Sequence, residues 1–429
     1  MPSAISAIRP SPEDRQTLAR STWSLAQARG LVRRVAEDER FDGRCITLDG
    51  QRVVNFGSCS YLGLETDARL KTAACEAILR YGVQFSTSRA YVAAPLYAEL
   101  EQLLSEMAGG ARVVVAPTAS LAHQSALPML VGERDAVLYD IQVHASAQAA
   151  LAELRLRGVP CEPVRHNQLD RVEARVQALA AKHNRVFYLC DGIYSMHGDV
   201  LDADGLYALL DRQPSLFAYV DDAHGVGWSG ERGAGTLLGR RALHARMVVV
   251  FGLAKSFAGA GGAVVVPEDE MAERLLTGGR TLIFSGPLQP AQLGAGVASA
   301  KIHLSPELPL LQARLLSRID TFDKAAARDG LTLACAGRSP IRFVPIGDEV
   351  AAIELAAALL GRGYYVNVAY YPAVPRRRAG VRLMLNSHQT HEDIQALVRE
   401  LVEEQARMAL PALKAASGSG LAAPSIEHA

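Results

Sequence analysis

Residues 247–267 read MVVVFGLAKSFAGAGGAVVVP. Two oily, β-branched runs flank a bed of Gly, Ala and Ser, and Lys255 sits in that bed with no other charged residue between Arg246 and Glu268. Burying an ammonium is expensive, so a lysine in this setting snorkels out, pairs with an anion or loses its charge. A lysine that sheds its proton is a nucleophilic amine, and such amines form Schiff bases. The flanking runs have the pattern of strands oily on both faces, so the stretch reads as strand, turn, strand in a buried sheet.

Similar short runs surround it: ARVVVAP (111–117), DAVLYD (135–140), RVFYLCD (185–191), LFAYVDD (216–222) and TLIFSG (281–286). With MVVVFG (247–252) and AVVVP (263–267), most are separated by helix-like stretches. That alternation predicts an α/β fold with a mostly parallel seven-stranded sheet covered on both sides. Ligands of such sheets gather beyond the carboxyl ends of the strands, and Thr118, Asp140, Asp191, Asp221 and Lys255 each follow such a run.

Residues 1–20 read as a flexible arm and 21–45 as helix, followed by a hairpin in CITLDGQRVVNFGS (45–58) turning at Asp49-Gly50. Two helical patterns flank VQFSTSRAYVAA (83–94). Beyond 291 come long helices, short strands near 332–346 and 380–385, and helices over 349–362 and 391–409. The expected organisation is an N-terminal arm and helix (1–52), a large domain (53–291), a smaller α+β C-terminal domain (292–410) and a disordered tail (411–429).

Bulk properties narrow the field. The 429 residues are 49% apolar and 21% charged, with 45 basic and 45 acidic side chains. A zero formal charge offers no electrostatic case for nucleic acid or an anionic membrane. The six cysteines form no CxxC pair or disulfide framework. The N-terminus lacks an apolar h-region, and no uncharged run reaches membrane-spanning length. These features predict a cytoplasmic enzyme.

The stretch YVDDAHGVG (219–227) supplies a partner for Lys255. An aspartate deep at a strand's end needs a cation, and the protonated ring nitrogen of pyridoxal 5′-phosphate (PLP) is one. Asp221 suits that role and His224 suits the phenolic oxygen, although a DD pair also caps turns and helices. APTASLAHQSALPML (116–130) places Thr118, Ala119 and Ser120 at a helix N-terminus, where backbone N–H groups bind phosphate. FAGAGG (257–262) precedes a strand and lacks GxGxxG spacing, so it is no dinucleotide fingerprint. His144 could cover a flat ring or serve as a core or capping histidine. His144, His197 and His224 lack the spacing of zinc ligands. Arg382, alone in the oily strand AGVRLMLNSHQ (379–389), suits either a substrate carboxylate or a structural acid.

In order along residues 50–405, NFGSCSYLGL, VHAS, CDGIYSMHGD, VDDAHGVG, GLAKSFAGAGG, IFSGPLQPA and VRLMLNSHQTHEDI resemble the α-oxoamine synthases. These are fold-type-I PLP enzymes, aspartate-aminotransferase-like, that include aminolevulinate synthase, amino-oxononanoate synthase and serine palmitoyltransferase. LAKSFA, LMLNS and IYS also resemble the autoinducer synthase branch. The resemblance implies PLP on Lys255, Asp221 at the ring nitrogen, His224 at the phenolic oxygen and His144 stacked on the ring. It implies Thr118, Ala119 and Ser120 at the phosphate, Asp191 and Ser195 near the cofactor, and Arg382 on a substrate carboxylate. A homodimer follows, with its active site at the interface and Ser285 approaching the neighbouring subunit's phosphate.

Five departures stand out. Cys59 replaces a substrate-facing asparagine, TAS replaces SGF or SGY, and Gly252 and Gly286 replace two phosphate-binding threonines. QFSTSR (84–89) replaces GSGGSR and ends on Arg89, which joins Cys59 and Arg382 as the expected substrate-binding set. The implied reaction condenses an amino acid with an acyl thioester, on coenzyme A or an acyl carrier protein, releasing CO₂ and giving an α-aminoketone. The alternatives are an aminotransferase on the same fold and a PLP-free interaction protein.

Overall fold

Lys255 lies in the turn between two antiparallel neighbours of a seven-stranded sheet, and both flanking strands are buried along their whole length. The computed structural model describes residues 12–335 and 337–418. Its first helix, α1 (Pro12–Ala28), begins inside the segment expected to be a flexible arm and ends well short of residue 45. Gly30, at φ 71°, adopts a left-handed conformation that does not continue a helix. Hairpin β1 (Cys45–Leu48) and β2 (Gln51–Asn55) turns at Asp49-Gly50, both at positive φ (49° and 74°), as a two-residue primed turn requires.

After α2 (Ala68–Tyr81) and α3 (Leu96–Met107), the chain alternates strand and helix. The order is β3 (Arg112–Ala116), α4 (Ala119–Leu130), β4 (Ala136–Asp140), α5 (Ala145–Leu156), β5 (Cys161–Val164) and α6 (Leu169–Ala180). Then come β6 (Val186–Asp191), α7 (Ala203–Arg212), β7 (Leu216–Asp221), α8 (Gly235–Leu238), β8 (Met247–Gly252) and β9 (Gly262–Val266). The sheet order is β3-β9-β8-β7-β6-β4-β5, with only β9 antiparallel to its neighbours. Alternate strand residues feed two cores. Leu104, Val176 and Leu209 cover one face, and Leu127, Leu151 and Leu275 cover the other.

Six of the seven expected runs are strands. The exception is TLIFSG: after α9 (Asp269–Gly278), residues Arg280–Ile283 form the short helix α10. The seventh strand is β5, CEPV, which pairs only with β4 at the sheet's edge. Four residues containing a proline give no strand signal in isolation, yet an edge strand tolerates Pro163.

The remainder comprises α11 (Pro290–His303), α12 (Leu308–Asp329), β10 (Ile341–Gly347), α13 (Glu349–Gly361), β11 (Tyr364–Tyr365), β12 (Asn367–Ala369), β13 (Ala379–Met384) and α14 (His391–Gly418). β13 is the middle strand of an antiparallel β10-β13-β12 sheet. β11 pairs with β2, and Phe56, Tyr61, Leu62 and Leu64 share a core with α12 and α14. The stretch from 53 to about 70 therefore packs with the C-terminal unit and not with the large sheet. Helix α14 reaches into the segment expected to be a disordered tail from 411; residues 419–429 lie outside the described residues.

Candidate active site

Asp191 ends β6, Asp221 ends β7, and the two are direct cross-strand partners. Adjacent buried carboxylates repel, and their surroundings separate them. Burial and then the charge of Asp221 push the Asp191 carboxyl well up, although it accepts a bond from the His144 N–H at 3.2 Å. Burial alone would also raise Asp221. His123, Lys255 and the Ala223 N–H outweigh that penalty and hold it below the usual carboxylate range. The surroundings thus bias one carboxyl toward its neutral form and the other toward its charged form.

His224 follows on the same loop, fully enclosed, with Nδ1 2.7 Å from the Tyr61 hydroxyl. Burial, reinforced by the charges of Lys255 and Arg382, pushes its imidazole well down, so the ring is neutral. Trp228 donates its indole N–H to the His224 carbonyl at 2.7 Å and holds this loop. Lys255 is half-buried, its carbonyl accepts from the Ala258 N–H at 2.9 Å, and its amine makes no hydrogen bond or ion pair with a described residue. Its charge nevertheless acts on Asp191, Asp221, His144 and His224, which places the amine in their neighbourhood.

His144 caps α5, accepting from the Ser146 N–H, and burial lowers its imidazole. Thr118 caps α4 by accepting from the Leu121 N–H at 3.0 Å, which leaves the N–H groups of Ala119 and Ser120 unpaired at the helix end. A Cβ on Gly262 would stand 2.5 Å from the Ala119 nitrogen, so only glycine lets β9 pass this close. Arg382, on β13, has a buried Nε with no partner and an Nη2 4.0 Å from Cys59 Sγ. No acid claims it. Beside His144 and Ser195 opens a cavity of about 1310 Å³, with Phe343 and Val374 in its wall and the exposed Arg377 and Arg378 at its edge.

Charged carboxylate, neutral imidazole, unpaired amine and free helix N-terminus are the complement that PLP's ring nitrogen, phenolic oxygen, aldehyde and phosphate require.

Two expected residues make contacts within this chain. Arg89 donates to the Val115 carbonyl (2.7 Å) and to Glu101 (2.5 Å), and stacks on Tyr97. It braces α3 against β3, and its guanidinium is already committed. Ser285 donates its hydroxyl to the Thr281 carbonyl of its own α10. His123 and Tyr61, which no local pattern marks, also reach this cluster, at Asp221 (2.9 Å) and His224 (2.7 Å). Among the described residues no group of three His, Cys, Asp or Glu side chains could hold a metal ion. Nor is any helix there long and apolar enough to cross a membrane.

Comparison with known proteins agrees with this architecture. A serine palmitoyltransferase from S. paucimobilis, solved with a bound PLP–myriocin aldimine, superposes with a TM-score of 0.84 at 22% identity, covering 94% of this chain and 100% of its own. An 8-amino-7-oxononanoate synthase from Francisella tularensis gives 0.71 at 23% identity, covering 83% and 99%. The fold is therefore that of the fold-type-I PLP transferases. In sequence, the 8-amino-7-oxononanoate synthase of Dechloromonas aromatica is 31% identical over 385 residues, 87% of this chain and 95% of its own. That of Maricaulis maris is 32% identical over 375 residues, with coverage of 87% and 92%. The family model for aminotransferase class I and II matches residues 51–401. The chain belongs to the aminotransferase class I and II family, in its α-oxoamine synthase branch.

Proposed function

We propose that the protein is a PLP-dependent C-acyltransferase, condensing an amino acid with an acyl thioester to give an α-aminoketone, CO₂ and a free thiol. The observation that carries this reading is the grouping of Lys255, a charged Asp221 and Arg382, which has no acid partner among the described residues, around a neutral His224. When bound, PLP supplies a cationic ring that absorbs the charge developing at the substrate's α-carbon.

Asp221 keeps that ring nitrogen protonated. Because Nδ1 of His224 faces the Tyr61 hydroxyl, Nε2 is free to donate to the phenolic oxygen. Ala119, Ser120 and the Thr118 end of α4 hold the phosphate, His144 covers the ring face, and Asp191 and Ser195 line the cofactor's surroundings. Arg382 grips the amino acid's carboxylate with two parallel N–H donors, beside Cys59. Lys255 would take the α-proton as general base. The acyl group enters the 1310 Å³ cavity along Phe343 and Val374, and its carrier, coenzyme A or an acyl carrier protein, meets the rim at Arg377 and Arg378. The working unit is a homodimer.

The deciding experiment supplies amino acids and acyl thioesters to the PLP-loaded protein and measures CO₂ and thiol. One-to-one release, abolished in Lys255→Ala, is expected. Amino-group transfer to a keto acid without thiol release would establish an aminotransferase instead.

A further inference from the structure

We infer that His123 is a positioning residue for Asp221, with Tyr219 fixing which imidazole nitrogen carries the proton. The inference rests on the PLP reading above. His123 lies on α4, five residues after the Thr118 cap, and is fully buried. A buried imidazole has to satisfy two ring nitrogens, and here each has one partner. Nε2 stands 2.9 Å from Asp221 Oδ2, and Nδ1 stands 3.0 Å from the Tyr219 hydroxyl.

The bonding pattern settles the tautomer. An ionised carboxylate only accepts, so Nε2 carries the hydrogen. The Tyr219 hydroxyl is buried and has no other partner among the described residues, and opposite a neutral imidazole it donates to Nδ1. Tyr219 and Asp221 are two residues apart on β7 and therefore share a face. That is the face α4 covers, since Tyr219 packs in one core with Ala122 and Ala126 while Val220 points into the other.

Two consequences follow for the carboxylate. Oδ2 is held by His123 and Oδ1 by the Ala223 N–H at 3.0 Å, so its plane is fixed from both sides. In addition, one helix carries both the free N–H groups of Ala119 and Ser120 and the imidazole that holds Asp221. The Asp221 bond therefore locks the phosphate end and the ring-nitrogen end of the site into one register. The other ionisable groups around this cluster are Cys190 and Asp191 on β6, Asp222 and His224 after β7, His144 at the start of α5, and Lys255 in the turn after β8.

The test is a pH titration of the visible absorbance of the Lys255–PLP imine in reconstituted protein, alongside the PLP dissociation constant. A cationic ring nitrogen lowers the affinity of the imine for its own proton. Without His123, the buried Asp221 takes up a proton, the ring nitrogen loses its counter-charge, and the imine holds its proton more tightly. His123→Phe is expected to raise the imine midpoint by about one pH unit, a tenfold change in proton affinity. His123→Asn, which retains an N–H donor, should stay closer to wild type. Tyr219→Phe should shift the midpoint in the same direction by less.

Midpoints of His123→Phe and Tyr219→Phe both within about 0.2 unit of wild type would overturn the assignment. If His123→Phe does not fold, the shift in Tyr219→Phe decides alone. A wild-type protein that forms no imine with PLP ends the underlying reading together with this one. Imines that form in every variant and titrate alike remove only the role of His123.

Discussion

Arg382 occupies the middle strand of the small sheet, opposite Phe343 and Asn367, with a buried Nε that nothing claims. A guanidinium kept without an acid costs stability unless an anion arrives. Arg382→Leu should therefore leave folding intact or improve it, and should raise KM for the amino acid roughly ten- to a hundredfold, the loss of about 1.5–3 kcal/mol from a charged hydrogen-bonded pair. Steady-state kinetics with the thioester saturating, together with a thermal melt, check this; an unchanged KM would return Arg382 to a structural role. At this scale the roles proposed for Lys255 and Asp221 start from a legible anomaly, charged residues inside oily runs, and His224 lies on the same stretch as Asp221. His123 was not legible, because a lone histidine on an apolar helix looks like core until β7 supplies Asp221 and Tyr219. Arg89 misled for the converse reason, as its partners Glu101 and Val115 come from neighbouring elements that no local pattern reveals.

Among the elements, α11 anchors the Lys255 turn. His303 near its end stacks on Phe257, two residues past the lysine, with ring centroids 5.0 Å apart. Nδ1 donates to the Ser299 carbonyl at 2.8 Å, while Ser299 donates its hydroxyl to the Phe257 carbonyl. Burial pushes this imidazole down to about 4. In the unfolded chain it protonates near 6.5, so as pH falls the unfolded state binds the proton first. The stability that His303 contributes is thus intact above about pH 6.5 and drains away toward pH 4, by up to about 3 kcal/mol. Urea midpoints followed from pH 7 to 4 should fall less steeply in His303→Gln than in wild type; parallel slopes would refute the assignment. Element types were readable where the pattern was long and periodic. TLIFSG failed because a six-residue apolar run fits a short helix as well as a strand, and CEPV failed because its pairing partner, not its composition, makes it a strand.

Over the whole molecule, one surface carries apolar side chains that a monomer has no use for. Tyr91 and Phe284 are each 85% exposed, and Val92 is 56% exposed. The two segments are tied together by the Ser88 hydroxyl donating to the Ile283 carbonyl at 2.6 Å and the Phe85 N–H donating to Gln289 at 3.1 Å. Clustered exposed apolar residues mark association surfaces, and closed symmetric dimers are the commonest outcome. Light scattering should report a dimer, and Phe284→Glu should give monomers with activity reduced at least about tenfold, since one buried charge at such a contact costs more than 1.4 kcal/mol. A wild-type monomer with full activity would refute the proposed homodimer.

Local pattern by itself determined the alternation of strands and helices, the strand–lysine–strand unit, the Asp49-Gly50 hairpin and the residue types that carry the chemistry. Those features depend on neighbours a few positions away, where periodicity and turn geometry act. Only the tertiary structure decided that 53–70 joins the C-terminal core, that Arg89 is spoken for while Arg382 is free, and that His123 stands behind Asp221. Each of these depends on which faces meet across hundreds of residues, and the free energy of an ionisable group is set by the partners it meets there.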